Sequence, residues 1–484
     1  MPEGETTLAY PVRLPVVGRY LSQLGAMVAV LSLPACVVAF YSGELRVGLV
    51  YVLIAVGLLA MALAGRRTPA PRSIQRNEGI VVVGLAFVLT PVLMALPLAA
   101  GGLSLGDALF EAVSAITTTG LSTLSTVEGA SSSFLFERAW LQWCGGLGIS
   151  VLSVALLMGH HAAAHRLAEP ISEGNLVTTA RTQARQILRV YVVLTLVGTL
   201  ALSLVFGDTF LALANMLSTL STGGFSPYDD SIAALPASGA WIVTAFSFLG
   251  AVPLLLYHQV LVRKPGSLLR DSEVRALAAF VLLASILLAL SLWWNSGMVP
   301  SDAIRHGVML GVSAQTTTGF ASMEVATLEP TSKVLLMLSM LVGGGSGSTA
   351  GGIKLLRLLI IARLVQYYLR RVAMPPHAVA QPRLAGKLLE RVEIEQAMLI
   401  AFLIVIAVGS SWIVFVAFGY APLDALFEVT SAVGTVGLST GITAADLEWP
   451  LKLVLCIDMV FGRLEALALL VILYPATWIG KRAG

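Results

Sequence analysis

Four short runs of hydroxyl residues and glycine recur in this chain. They are Thr117-Thr118-Thr119-Gly120, Ser221-Thr222-Gly223-Gly224, Thr316-Thr317-Thr318-Gly319 and Gly434-Thr435-Val436-Gly437. What these residues offer chemically is oxygen. A monovalent cation stripped of its water needs a ring of oxygens in place of the hydration shell, and main-chain carbonyls supply such a ring. Turning successive carbonyls toward one axis demands backbone angles that glycine adopts without steric cost. That assigns the closest approach to Gly120, Gly224, Gly319 and Gly437, with Thr117, Ser221 and Thr316 expected to add side-chain oxygens at the inner end. Any one run alone reads rather as an ordinary turn in an exposed loop. Four in register favour the ring.

The runs belong to a repeat. Asp107–Thr123, DALFEAVSAITTTGLST, matches Asp424–Thr440, DALFEVTSAVGTVGLST, at 12 of 17 positions without a gap. Met216–Ser226 and Gly311–Ser322 are weaker relatives of the same stretch. Each follows a short amphipathic helix that opens on a capping or acidic residue such as Asp208 or Ser301. The unit is therefore span, short helix, Thr/Gly strand, span, four times over. Irregular backbone at membrane depth is tolerated only where protein buries it or where it lines a watery cavity. Four such strands are expected to converge on one axis as a pore, with the helix C-termini directing partial negative charge at it.

The surrounding chain is a membrane protein by composition, with 57% hydrophobic and 12% charged residues. Ten apolar stretches approach the length that crosses a bilayer, roughly 20 residues: Val16–Tyr41, Val47–Leu63, Gly79–Leu98, Ala139–Gly159, Ile187–Phe206, Trp241–Leu261, Val274–Trp294, Val334–Ile361, Ile394–Phe418 and Leu451–Ile479. No cleavable leader is evident, because the first stretch is long and lacks a small-residue cleavage site. Threading the spans alternately puts 24 of the 30 Lys and Arg on the side of the N-terminus, five on the other, and Arg463 within a span. Positive charge stays cytoplasmic, so both termini are expected in the cytoplasm. The net charge of +3 is then an asymmetry of topology, and a nucleic-acid partner has no support. Cys36, Cys144 and Cys456 lie in apolar spans without metal-ligand spacing and read as packing residues.

Two features interrupt the spans. The eighth contains Gly343-Gly344-Gly345-Ser346-Gly347-Ser348-Thr349-Ala350-Gly351-Gly352 before Ile353 and Lys354. So much glycine disfavours a continuous helix. A phosphate loop is excluded, since Ile353 separates Gly352 from Lys354 and no hydroxyl follows. The stretch reads either as close helix packing or as a broken helix crossing the pore beneath the strands, the kind of discontinuity that marks transport sites. The last span holds Asp458, Arg463 and Glu465, charges costly enough at this depth to be functional or paired. Glu111 and Glu428 occupy one repeat position, where they either raise cation concentration at the mouth or satisfy backbone donors of the short pore helices. His160, His161 and His165 cluster at a helix end as an interfacial group or a metal site. Leu369–Arg391 is basic and proline-broken, suited to anionic lipid heads or a partner.

With TVGLS in the fourth run close to the TVGYG filter of potassium channels, the chain resembles the Trk/Ktr/HKT superfamily of cation transporters, specifically TrkH-type potassium uptake subunits. The likeness runs from about Arg19 to the C-terminus and includes the two extra N-terminal spans. It implies an all-α membrane protein with four pore repeats around one pseudo-fourfold pathway. The division would be 1–72 for the extra helices, then 73–165, 166–266, 267–380 and 381–484 for the repeats. In that family four filter glycines go with potassium, and a serine in the first strand goes with sodium. The glycine-rich loop acts as a gate, and the arginine of the GRLE motif, here Arg463, faces the pathway below the filter as a positive barrier. The resemblance also implies a homodimer in the cytoplasmic (inner) membrane and a cytosolic ring of TrkA-type nucleotide-binding regulatory subunits. No cofactor is implied; potassium is the substrate. A sodium or ammonium carrier of the same build is the nearest alternative. An enzyme is disfavoured, because no nucleophile with its base and no paired carboxylates on separate helices are present.

Overall fold

The molecule, a computed structural model, is described over residues 11–69, 74–165, 173–262, 266–375 and 381–479. Its order is α1 (Leu14–Leu31), α2 (Leu33–Tyr41), α3 (Leu45–Gly65), α4 (Arg76–Ala100), α5 (Leu105–Ile116), α6 (Ser132–His165), α7 (Glu173–Phe206), α8 (Thr209–Leu220), α9 (Ala237–Gly250), α10 (Leu254–Val262), α11 (Ser267–Arg270), α12 (Ser272–Trp294), α13 (Pro300–Gln315), α14 (Pro330–Val342), α15 (Leu355–Val372), α16 (Arg391–Ala417), α17 (Pro422–Gly434), α18 (Trp449–Arg463) and α19 (Leu467–Leu473). A two-residue hairpin pairs Arg383–Leu384 with Lys387–Leu388. The expected all-α class is the one observed.

Local chemistry sets the helix starts. Asp208 caps α8, its carboxylate accepting from the amides of Phe210 and Leu211. Ser301 does not cap α13: Val299 holds that place and Pro300 fills the first turn, where a missing N–H costs nothing. Asp424 lies in the first turn of α17, favourable against the positive end of the helix dipole.

Among the described residues six segments are long and apolar enough to cross a membrane: Leu14–Tyr41, Leu45–Gly65, Asn77–Ala100, Thr182–Phe206, Ser272–Trp294 and Arg391–Ala417. The chain is a multi-pass membrane protein. Three of the ten expected stretches are not plain spans. Trp241–Leu261 bends by 90° between α9 and α10, where Pro253 removes a helix donor and restrains its predecessor. Val334–Ile361 is divided into α14 and α15 by the glycine-rich loop. Leu451–Ile479 breaks after Arg463, with Glu465 and Ala466 in the left-handed region at φ 56° and 61°. The remaining stretch, Ala139–Gly159, lies within α6.

The chain divides into two compact units. The first contains residues 1–109, 132–134 and 464–484. Its core gathers Val12, Val17, Val81 and Val82 with Ile472 and Trp478. Glu78, fully buried, takes the Arg13 guanidinium at 2.6 and 2.8 Å and the Arg13 amide at 3.1 Å, tying the chain before α1 to the start of α4. The second unit, residues 110–131 and 135–463, carries all four Thr/Gly runs and the glycine-rich loop.

Candidate functional site

The four Thr/Gly runs share one backbone conformation. Each follows the end of a short helix, α5, α8, α13 or α17. The amides of Thr119, Gly223, Thr318 and Val436 each donate, at 2.9 Å, to the carbonyl of a serine five residues earlier: Ser114, Ser218, Ser313 and Ser431. Thr118, Thr222, Thr317 and Thr435 sit in the left-handed region at φ 53°, 52°, 53° and 50°. Two residues on, Gly120, Gly224, Gly319 and Gly437 are again positive, at 90°, 79°, 82° and 95°. A positive φ on a β-branched residue is a true outlier, held only where the surroundings over-determine it. Here it occurs at four equivalent positions.

The runs meet in a closed cycle. A methyl placed on Gly120 would overlap the carbonyl oxygen of Gly223; one on Gly224, that of Thr318; one on Gly319, that of Val436; and one on Gly437, that of Thr119. Each glycine is thus pressed against the carbonyl preceding the next glycine, and the fourth returns to the first. Serine side chains brace the cycle. The Gly120 amide donates to Ser114 Oγ and the Gly437 amide to Ser431 Oγ, both at 3.0 Å. At the second run Ser218 Oγ instead donates to Gln142 Oε1 at 2.6 Å, and Gln142 Nε2 donates to the Gly223 carbonyl at 2.5 Å.

One expectation changes here. The hydroxyls of Thr117 and Thr316 turn back along their own helices to the carbonyls of Val113 and Val312, each at 2.7 Å. Ser221 does the same toward Ser218, at 2.9 Å. The reason is local: these residues still have right-handed helical angles, which hold the hydroxyl near the carbonyl one turn back. At the inner end of the runs the hydroxyls belong to Thr118, Thr222, Thr317 and Thr435 instead.

The glycine-rich loop lies directly against that end. Gly343, Gly347 and Gly352 have φ 71°, 78° and 76°, which stops α14 and keeps the loop from continuing as helix. The Gly351 amide donates to Thr317 Oγ1 at 2.7 Å, and Thr349 Oγ1 lies 3.3 Å from Thr222 Oγ1. A methyl on Gly351 would overlap Thr435 Oγ1. The loop therefore touches three of the four inner threonines. Gln315 Nε2 donates to the Gly343 carbonyl at 2.7 Å, the Gly345 amide to Ala251 O at 3.0 Å, and Ser348 Oγ to Gly345 O at 2.6 Å. Gly344, Gly345 and Ala350 are buried, whereas Ser346 is half-exposed. The helix is broken here, between α14 and α15, and the loop packs against the runs.

Arg463, buried at the end of α18, donates to the carbonyls of Thr349 at 2.8 Å and Gly145 at 3.3 Å. Asp458, also buried, accepts from Ser411 Oγ at 2.9 Å. Glu111 and Glu428 are fully buried. Glu111 accepts from Ser122 Oγ and the Thr123 amide, and pairs with Arg138 at 2.9 Å. Glu428 accepts from the Ser439 hydroxyl and from the amides of Thr440, Ile442 and Thr443 at 3.0, 3.2 and 3.3 Å. Both carboxylates satisfy donors, but not those of the short helices: the donors belong to the chain leaving each run and, for Glu111, to Arg138 as well. The side chains of His160, His161 and His165 lie outside the described residues.

Several participants were not singled out from sequence. Ser114, Ser218, Ser313 and Ser431 recur six residues before each glycine, a signal visible once the runs are stacked. Gln142 and Gln315 have no such periodic cue. Nor do Gly145, Gly250 and Gly462, which pack against the carbonyls of Ile116, Leu220 and Val433, one equivalent helix end in each case.

Residues 50–477 match the model of the TrkH family, described as a cation transport protein. An uncharacterized cation transporter of Methanocaldococcus jannaschii is 28% identical over 92% of each chain. The Trk system potassium uptake protein TrkH of Escherichia coli K12 is 30% identical over 84% of this chain and 86% of its own. The crystal structure of the potassium transporter TrkH from Vibrio parahaemolyticus superposes with a TM-score of 0.85 at 26% identity, covering 97% of this chain and 100% of that one.

Proposed function

The chain belongs to the TrkH family of cation transport proteins, and from that premise we propose that it is the potassium-translocating subunit of a Trk-type uptake system. It is a transporter and not an enzyme. Relatives named as potassium uptake proteins cover most of its length. The observation that carries the reading is the closed cycle of Gly120, Gly224, Gly319 and Gly437, each against the next run's carbonyl. Four strands meeting in this way bring main-chain oxygens together from four sides, as dehydrating a monovalent cation requires.

In this reading the ion-binding filter is built from Thr117 to Gly120, Ser221 to Gly224, Thr316 to Gly319 and Gly434 to Gly437. The loop from Gly343 to Gly352 is the gate, and Arg463 is the positive barrier beside it. The loop's contacts with Thr222 and Thr317 support the gate role, since a seated loop occupies the filter's inner end. The four-repeat division at 73, 166, 267 and 381 is supported by the shared backbone of the runs. The membrane potential supplies about 2.3 kcal/mol per charge per 100 mV, enough to draw the ion inward with or without a coupled proton. The lysine and arginine distribution supports cytoplasmic termini in the cytoplasmic membrane. The relatives belong to named Trk systems, which supports work in a multi-component assembly. A homodimer with TrkA-type nucleotide-binding subunits is the form proposed.

The test is selectivity after reconstitution of the full chain in liposomes. Gly120→Ser and Gly437→Ser each place a side chain against a neighbouring carbonyl and should lower potassium-over-sodium discrimination, while wild type favours potassium. Wild-type flux that prefers sodium or ammonium, or unchanged discrimination in both variants, overturns the reading.

A further inference from the structure

The loop is pinned from a second side, opposite in hydrogen-bonding sense to Arg463, by an acidic side chain. Glu273 is the second residue of α12, and its Oε2 accepts the main-chain N–H of Ser346 at 2.6 Å. The helix start that presents it is itself fixed. Asp271 caps α12, its Oδ1 accepting from the Glu273 amide at 2.8 Å and the Val274 amide at 3.2 Å. Three residues further along the loop, the Thr349 carbonyl accepts from Arg463 at 2.8 Å. A four-residue stretch thus offers a donor to a carboxyl oxygen and an acceptor to a guanidinium. Hydrogen bonds to ionised groups are roughly twice as strong as neutral ones. Between the two pins lies Gly347, and beyond them Gly343 and Gly352, all with positive φ, so the segment is held at charged points and hinged between and around them.

We propose that Glu273 is a positioning residue that holds the loop seated against the filter, its carboxyl the accepting counterpart of the donating Arg463. The proposal rests on the reading of the loop as the gate. Glu273 faces the amide and hydroxyl of Ser346, with Lys354 at the start of α15 and Asp271 on its own element as the charged neighbours. It touches no filter residue in this arrangement, so its effect falls on how often the loop leaves its seat and not on which ion passes.

The test uses Glu273→Gln, which keeps the shape and removes the charge, and Glu273→Asp, which keeps the charge on a shorter arm. Two measurements are made on the full chain: amide hydrogen exchange of peptides covering residues 343–354, and rubidium uptake into potassium-loaded liposomes. Losing a charged hydrogen bond should speed loop exchange and uptake by about tenfold in Glu273→Gln, with the melting temperature and the potassium-to-sodium ratio unchanged. Glu273→Asp should fall between wild type and Glu273→Gln. Loop exchange equal to wild type in Glu273→Gln overturns the latch, whatever the flux. Exchange raised throughout the protein with a lowered melting temperature also overturns it, by assigning Glu273 a general structural role. Faster loop exchange with unchanged flux keeps the latch and overturns the gate reading instead.

Discussion

The guanidinium of Arg463 donates to the main-chain carbonyl of Thr349, 2.8 Å away, where the glycine-rich loop meets the Thr/Gly runs. A cation arriving from the filter seeks carbonyl oxygens of the same kind, and Arg463 already holds this one. The fork also reaches Gly145 at 3.3 Å, a geometry that an ammonium group does not reproduce. Arg463→Gln should raise uptake without regulators by about tenfold, the worth of one charged hydrogen bond. Arg463→Lys should raise it less, since the charge remains. Uptake into liposomes measures both. Equal rates in the three proteins would remove Arg463 from the barrier.

Gly351 offers a steric counterpart to that electrostatic test. Its Cα stands so near Thr435 Oγ1 and the Gly434 carbonyl that an added methyl overlaps both. The clash lies between loop and filter, so its relief is for the loop to lift. Gly351→Ala should increase flux several-fold, while an alanine at Gly409 in α16, where added bulk meets nothing and the backbone is helical, should leave flux at the wild-type level. Flux in Gly351→Ala at or below wild type would mean that the filter gives way and the loop does not.

Glu111 and Glu428 share a repeat position but not an energetic role. Glu111 is paired with the buried guanidinium of Arg138, which also lies 3.8 Å over the Phe225 ring. Glu428 accepts from amides and hydroxyls of Ser439 to Thr443. Removing one charge of a buried ion pair costs about 3–5 kcal/mol, whereas weakening bonds to neutral donors costs about 1–3 kcal/mol. Glu111→Gln should therefore lower the melting temperature in detergent more than Glu428→Gln does. Equal losses would show that Arg138 finds compensation elsewhere.

The difference between those two residues marks where the sequence stopped being informative. Seventeen-residue stretches identical at 12 positions revealed the repeat and the glycines that meet in one cycle, because local backbone demand writes itself into residue type. Glycine density marked the break after Val342 for the same reason. Glu111 and Glu428 share a serine hydroxyl and an amide of the chain leaving each run. The partners that differ, Arg138 at one and the amides of Ile442 and Thr443 at the other, are set by how that chain folds back, which their common position concealed. Thr117, Ser221 and Thr316 were assigned inward hydroxyls on position alone. Their helical angles, a property of the last turn of each short helix, turned those hydroxyls back. The interruption of the last span after Arg463 was not legible, since the residues that take positive φ there, Glu465 and Ala466, do so against their own preference, while the neighbouring Gly462 stays helical.

The same contrast between preference and conformation is sharpest at Thr435. Its φ of 50° is left-handed, which for a residue with a Cβ costs roughly 1–2 kcal/mol. Three more threonines, Thr118, Thr222 and Thr317, accept the same angle, though glycine would remove the strain. Retaining threonine at all four places makes sense if the hydroxyl does something glycine cannot, and at the inner end of a filter that is to offer an oxygen to the ion. Thr435→Gly and Thr435→Ala both delete the hydroxyl and the methyl, but only glycine relieves the backbone. Thr435→Gly should therefore be more stable than Thr435→Ala by about 1 kcal/mol, read as a higher melting temperature in the same detergent. Both variants should discriminate less well between potassium and sodium than wild type. Thr435→Ser, which restores the oxygen without the methyl, should recover most of the discrimination. If serine and alanine prove equally unselective, the hydroxyl is not what the strained angle preserves, and packing of the threonine methyl, which lies close to Gly462, becomes the better account.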